Sequence, residues 1–169
     1  NRRRHQSNSH PENTVGKPAI QNFFLFKYSQ RGHCIMKEKM DEASKKALIA
    51  YRIKRAYETL KEADVMKREG FYNAAINRMY YACYYAVMGL LLKNDIQTQT
   101  HSGVKTMLGL HFVSTGKLSV KSGKTFSTLF EKRHSGDYDD FVYSDNEMVN
   151  DLYPRAKSFI DTICELIKI

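Results

Sequence analysis

The sequence predicts an all-α fold, an antiparallel bundle of four to five helices. Three observations carry this expectation. Apolar residues recur at steps of three and four from Asp41 onward, the spacing of one helix face. No period of two persists anywhere, so no strand is expected. The breaks between periodic stretches are short, which suits neighbours that reverse direction. The chain has 169 residues, 42% apolar and 27% charged. That suffices for one domain with one sizeable core, and it excludes a wholly disordered chain, a collagen-like chain and a disulfide scaffold.

Residues 1–35 stand apart from the rest. They open on Asn1-Arg2-Arg3-Arg4 and are rich in Ser, Asn, Gln and His, with two of the three prolines. They carry six Lys/Arg and one acidic residue, so +5 of the net +9. This stretch reads as an unstructured basic tail, solvated or non-native, in preference to a nucleic-acid-binding arm. The domain is expected over residues 36–169, with Met36 or Met40 as candidate starts.

The first helix follows Asp41: Ile49, Ile53, Ala56, Leu60 and Ala63 form one face, and Gly70 marks the stop. The second runs from about Phe71 to Lys93. Its stretch Met79–Leu92 holds no charge, and apolar residues surround it, so it should be central and buried. Fourteen residues fall short of the roughly 20 a membrane span needs. A third helix follows Thr100, capped by Thr100 or Ser102 and ended by Gly116, with Val104, Met107, Leu108 and Phe112 inward. The fourth spans about Val120 to Asp139, with Phe126, Leu129 and Phe130 inward. The fifth opens on a capping-box pattern, Ser144-x-x-Glu147, and repeats apolar residues to Ile167. Pro154 should kink this helix or delay its start.

Three cysteines, Cys34, Cys83 and Cys164, form no CxxC pair, which suits reduced thiols in a cytoplasmic protein. No metal site is expected, since Cys and His do not cluster, and no cofactor motif is present. The mild positive excess permits binding of RNA or a nucleotide.

Some polar residues occupy inward positions. Ala75, Arg78, Ala82 and Gly89 form a stripe of small residues on the second helix, and Arg78 is its one long member. A buried guanidinium needs a carboxylate or a phosphate for its five donors. A core ion pair is favoured for Arg78 over an anion site. On the fourth helix Phe126, Phe130, Arg133 and Asp137 share a face, and Asp137 with Tyr138, Asp139 and Asp140 makes an acidic helix end. Asp137 is expected within salt-bridge reach of Arg78 or Arg133, with Tyr138 beside them. His101 at a helix start reads as capping or exposed, and neither His111 nor His134 has a nucleophile at triad spacing.

Ala74-Ala75-Ile76-Asn77-Arg78-Met79-Tyr80-Tyr81-Ala82, after Gly70-Phe71-Tyr72, resembles the N-R-x-Y-Y-A signature of HEPN domains, specifically the small stand-alone proteins of bacteria and archaea. Thr100-His101-Ser102-Gly103-Val104, His111-Phe112-Val113 and Arg133-x3-Asp137-Tyr138 fit the same group in order and spacing, so the resemblance covers about residues 41–168. It implies a helical homodimer that acts with a cognate nucleotidyltransferase antitoxin in a toxin–antitoxin or defence module. A cluster of Asn77, Arg78, Tyr81, Arg133, Asp137 and Tyr138 would bind RNA or a nucleotide or lock the bundle.

Many such domains are metal-independent endoribonucleases marked by R-x(4–6)-H. Here the window after Arg133 holds Asp137, Tyr138, Asp139 and Asp140, with Tyr138 where the shortest motif has its His. A free tyrosine titrates near pH 10 and is a poor base at neutral pH. The resemblance therefore leaves three readings: a binding component, a ribonuclease with an altered site using Arg133, Tyr138 and His134, and a non-catalytic dimerisation partner.

Overall fold

A computed structural model describes residues 40–138 and 144–168, with the side chains of 134–138 excepted. The described residues form five α-helices: α1 (Glu42–Arg68), α2 (Tyr72–Lys93), α3 (His101–Leu108), α4 (Val120–Tyr138) and α5 (Asn146–Lys168). A π-helical stretch, Gly109–Val113, extends α3. The fold is the all-α bundle the periodicity predicts. The expected tail, residues 1–35, lies outside the described residues, as does Cys34.

Each helix end has a local cause. The Asp41 side chain accepts from the Ser44 amide and caps α1. At the other end Gly70 takes φ 78°, a left-handed conformation costly for any residue with a Cβ. The Gly70 amide donates to Lys67 and the Phe71 amide to Met66, so the chain reverses in a Schellman turn. The end of α2 repeats this turn with Asp95 at φ 56° in place of glycine. There the Ile96 amide donates to Leu91, and the Lys45 ammonium on α1 holds the Asp95 carboxylate at 2.8 Å.

Thr100 caps α3, accepting from the Gly103 amide, and Gly116 turns the chain at φ 74°. Two expectations for α5 are corrected. Asp145, rather than Ser144, supplies the cap, accepting from the Met148 amide at 2.8 Å. The late start is also overturned, since the helix begins before Pro154 and continues through it. The proline removes one donor, and the apolar face from Val149 to Ile163, buried on either side of it, holds both halves to the core.

The second helix lies at the centre and packs against all four others. Met79, Tyr80, Cys83, Val87 and Leu90 are fully buried. Each large apolar side chain so buried contributes roughly 1.5–3 kcal/mol. Gly89 lets α1 and α5 come close to α2: a Cβ there would sit 3.5 Å from both Ile53 on α1 and Ile167 on α5. Cys83 and Cys164 are free and buried, and burial pushes both thiols up and keeps them protonated.

Candidate functional site

Four tyrosines fall within six residues of α2: Tyr80, Tyr81, Tyr84 and Tyr85. At about 100° per residue, Tyr81, Tyr84 and Tyr85 share one side of the helix with Asn77 and Arg78. Tyr80 turns the other way, into the core, yet its hydroxyl emerges 2.7 Å from Nδ1 of His101 on α3. Burial raises the Tyr80 pKa, so the phenol keeps its proton. Which of the two atoms donates follows the imidazole tautomer: a hydrogen on Nε2 leaves Nδ1 to accept from Tyr80, and a hydrogen on Nδ1 makes the Tyr80 oxygen the acceptor.

His101 is held on several sides. Its ring stacks on Tyr84 at 4.5 Å between centroids and 22° between planes, and meets Tyr81 edge-on at 6.0 Å. The expectation of a capping or exposed histidine is therefore corrected. Thr100 does the capping, and His101, one residue on, is half-buried in the tyrosine cluster.

The fourth helix adds Arg133. Its guanidinium carbon lies 5.7 Å from the Tyr80 ring centre and 5.5 Å from that of Tyr81. Arg78 approaches Tyr81 as well, at 5.9 Å. Two guanidinium groups thus converge on one tyrosine ring. Each such contact is worth about 0.5–1 kcal/mol where exposed and about 2 where dry.

Arg78 also corrects an expectation. It is 43% exposed instead of buried, and its carboxylate partner is Glu62 on α1, at 3.4 Å. Glu62 also faces Arg55, at 3.7 Å, and Arg55 lies over the Tyr85 ring. Such exposed pairs contribute about 0.2–1 kcal/mol each. On the far side, Arg52 donates to the Met88 carbonyl at 2.8 Å.

Asn77 presents a different anomaly. Its Oδ1 is buried and accepts no hydrogen bond. An unmet buried acceptor costs about 1–3 kcal/mol. Of the sequence-predicted cluster, Arg78 and Arg133 meet at Tyr81, and Asn77 lies one turn before Tyr81 on the same side. The side chains of His134, Asp137 and Tyr138 lie outside the described residues. Sequence reasoning missed Tyr80, Tyr84 and His101 as parts of one site. The available signal is the density of tyrosines on α2, of which the sequence reading takes only Tyr81 into the site. No group of three or more His, Cys, Asp or Glu residues suited to a metal occurs among the described residues.

The model of the HEPN domain matches residues 49–167. The chain belongs to the HEPN family. A UPF0332 protein of Thermotoga maritima is 37% identical over 124 residues, covering 73% of this chain and 94% of that protein. A protein of Methanocaldococcus jannaschii named "Putative toxin MJ0142" is 28% identical over 126 residues, covering 75% of this chain and 86% of its own length. The crystal structure of an archaeal HEPN homologue superposes with a TM-score of 0.58 at 20% identity, over 70% of this chain and 97% of that one. This last likeness supports the HEPN fold alone. No helix among the described residues is long and apolar enough to cross a membrane.

Proposed function

We propose that this HEPN protein is the RNA- or nucleotide-binding component of a toxin–antitoxin or defence module. The observation that carries the reading is the convergence of Arg78 and Arg133 on Tyr81, beside the stacked His101 and Tyr84. Guanidinium groups take phosphates, and aromatic rings such as the half-buried Tyr81, Tyr84 and Tyr85 can take bases. The toxin name of the Methanocaldococcus relative supports the module. In this reading the protein is a cytoplasmic homodimer beside a nucleotidyltransferase partner.

The test is fluorescence anisotropy with a labelled single-stranded RNA of about 12 nucleotides, within the span of single-strand sites. Arg133→Ala and Tyr81→Ala should each weaken binding about tenfold or more, since one stacked base is worth roughly 1–3 kcal/mol. Unchanged affinity in both variants, or no binding by the wild type, defeats the proposal.

One observation favours a second reading, the metal-independent endoribonuclease with an altered site. His101 and Arg133 pack against the same two tyrosines, although they stand on different helices. Arg133 would hold the scissile phosphate while the 2′-oxygen bonds to phosphorus, giving its proton to water, and the P–O5′ bond breaks with the 5′-oxygen taking a proton. His101 would move that proton, with Tyr80 fixing its tautomer. A 2′,3′-cyclic phosphate product that disappears in His101→Ala would support this reading; a product that persists in that variant would end it.

A further inference from the structure

The π-helical stretch and the start of α4 present a surface unlike the tyrosine site. Between them lies an open cleft of about 320 Å³. Leu108, Val113, Val120 and Phe126 make its apolar wall, and Lys105 and Lys124 stand at its edge. The π turn explains why the apolar surface reaches outward. The Ser114 amide donates to Gly109, an i→i+5 bond that widens the turn. Phe112 then points into the core, at 3% exposure, and Leu110 faces solvent at 58%. Val120 at the cleft is 64% exposed.

The charge is as one-sided as the apolar surface. From Ile96 to Phe130 the sequence has no Asp or Glu, but four lysines: Lys105, Lys117, Lys121 and Lys124. Lys105 is paired with Glu131 at 3.1 Å. Lys117, Lys121 and Lys124 are exposed.

The geometry points to a docking surface for an acidic polypeptide segment, one that seats a large apolar side chain in this cleft and sets carboxylates against the surrounding lysines. Three considerations select that occupant. A second copy on this face would bring lysines against lysines, in a chain already carrying +9. Single-stranded RNA stacks on exposed aromatic faces, whereas Phe112 and Phe126 are 3% and 1% exposed. A bilayer surface meets a protruding apolar wedge, not a concave wall. An apolar anchor in a pocket with a charged rim is the usual make-up of a protein interface. This surface does not depend on the tyrosine site or on the function proposed for it.

The experiment selects binders of the full chain from a library of short displayed peptides, then measures the enriched peptides by anisotropy. Two exposed-site variants serve as probes, Lys121→Glu with Lys124→Glu, and Leu110→Asp with Val120→Asp. The expected result is enrichment of peptides with one or two Leu, Ile or Phe residues flanked by Asp or Glu. Each double variant should weaken them by at least about tenfold, or 1.4 kcal/mol. No enrichment overturns the proposal, as do enriched peptides that lack either the acidic or the apolar residues. It is also overturned if the lysine variant mainly loses affinity for poly-U RNA or for vesicles of anionic lipid. A wild-type dimer that both variants convert to monomer in light scattering would assign the face to a second copy and overturn it equally.

Discussion

Asn77 shows how one atom can separate binding from folding. Its Oδ1 is buried without a donor, so the fold gains nothing from it. Asn77→Leu should therefore leave the melting temperature unchanged or slightly raised, while RNA affinity falls if a ligand supplies the missing donor. Thermal unfolding and anisotropy on the same preparation check both halves. Arg133 makes the complementary case. Arg133→Lys keeps the charge but loses the planar group that lies over Tyr80 and Tyr81. It should bind several-fold more weakly than the wild type, and a variant of equal affinity would mean that charge alone matters. At this scale the sequence was only partly readable. The inward stripe located Arg78 on α2, but periodicity follows Cα positions, and a long arginine carries its head outward to water. His101 was legible as a helix start, whereas its stacking on Tyr84 arises from the packing of α3 on α2, which no spacing records.

Among the elements, the glycines of helix interfaces separate two kinds of close approach. A methyl group at Gly89 would meet Ile53 and Ile167 at 3.5 Å, ordinary contact distance. Gly89→Ala should stabilise the protein by up to about 1 kcal/mol, the helix-propensity difference. At Gly123 the added atom would stand 2.9 Å from Val113, so something must shift. Gly123→Ala should cost about 1 kcal/mol or more, and Val113→Ala in the same chain should recover part of it. Urea unfolding of the three variants decides, and a stabilising Gly123→Ala would show that the π-helical stretch yields easily.

The link between α1 and α5 adds a pH signature. Lys157 holds the Asp161 carboxylate below the usual range, burial opposes this, and the Tyr57 hydroxyl, 2.8 Å away, adds to the lowering. A lowered folded pKa means stability present above the ordinary value of about 3.9 and lost as pH falls through the folded value. Asp161→Asn should therefore be least stable relative to wild type near neutrality, with the gap closing in acid. The periods of these helices were readable because each buries one face. The cap of α5 and the passage through Pro154 were not, because Ser144 and Asp145 both suit a cap and tertiary burial overrides the proline.

Over the whole described domain, two outer surfaces differ in make-up. One gathers arginines, tyrosines and His101; the other offers lysines around an apolar cleft. The net charge hides this division, and only the fold shows which cations stand beside aromatic rings. RNA bearing 4-thiouridine can be photocrosslinked to the full chain and the attached peptides read by mass spectrometry. Crosslinks are expected at Tyr81, Tyr84 or Tyr85 and near His101, strongly reduced in Arg133→Ala. Crosslinks confined to the segment from Lys117 to Lys124, or unaffected by Arg133→Ala, would contradict the proposed RNA site.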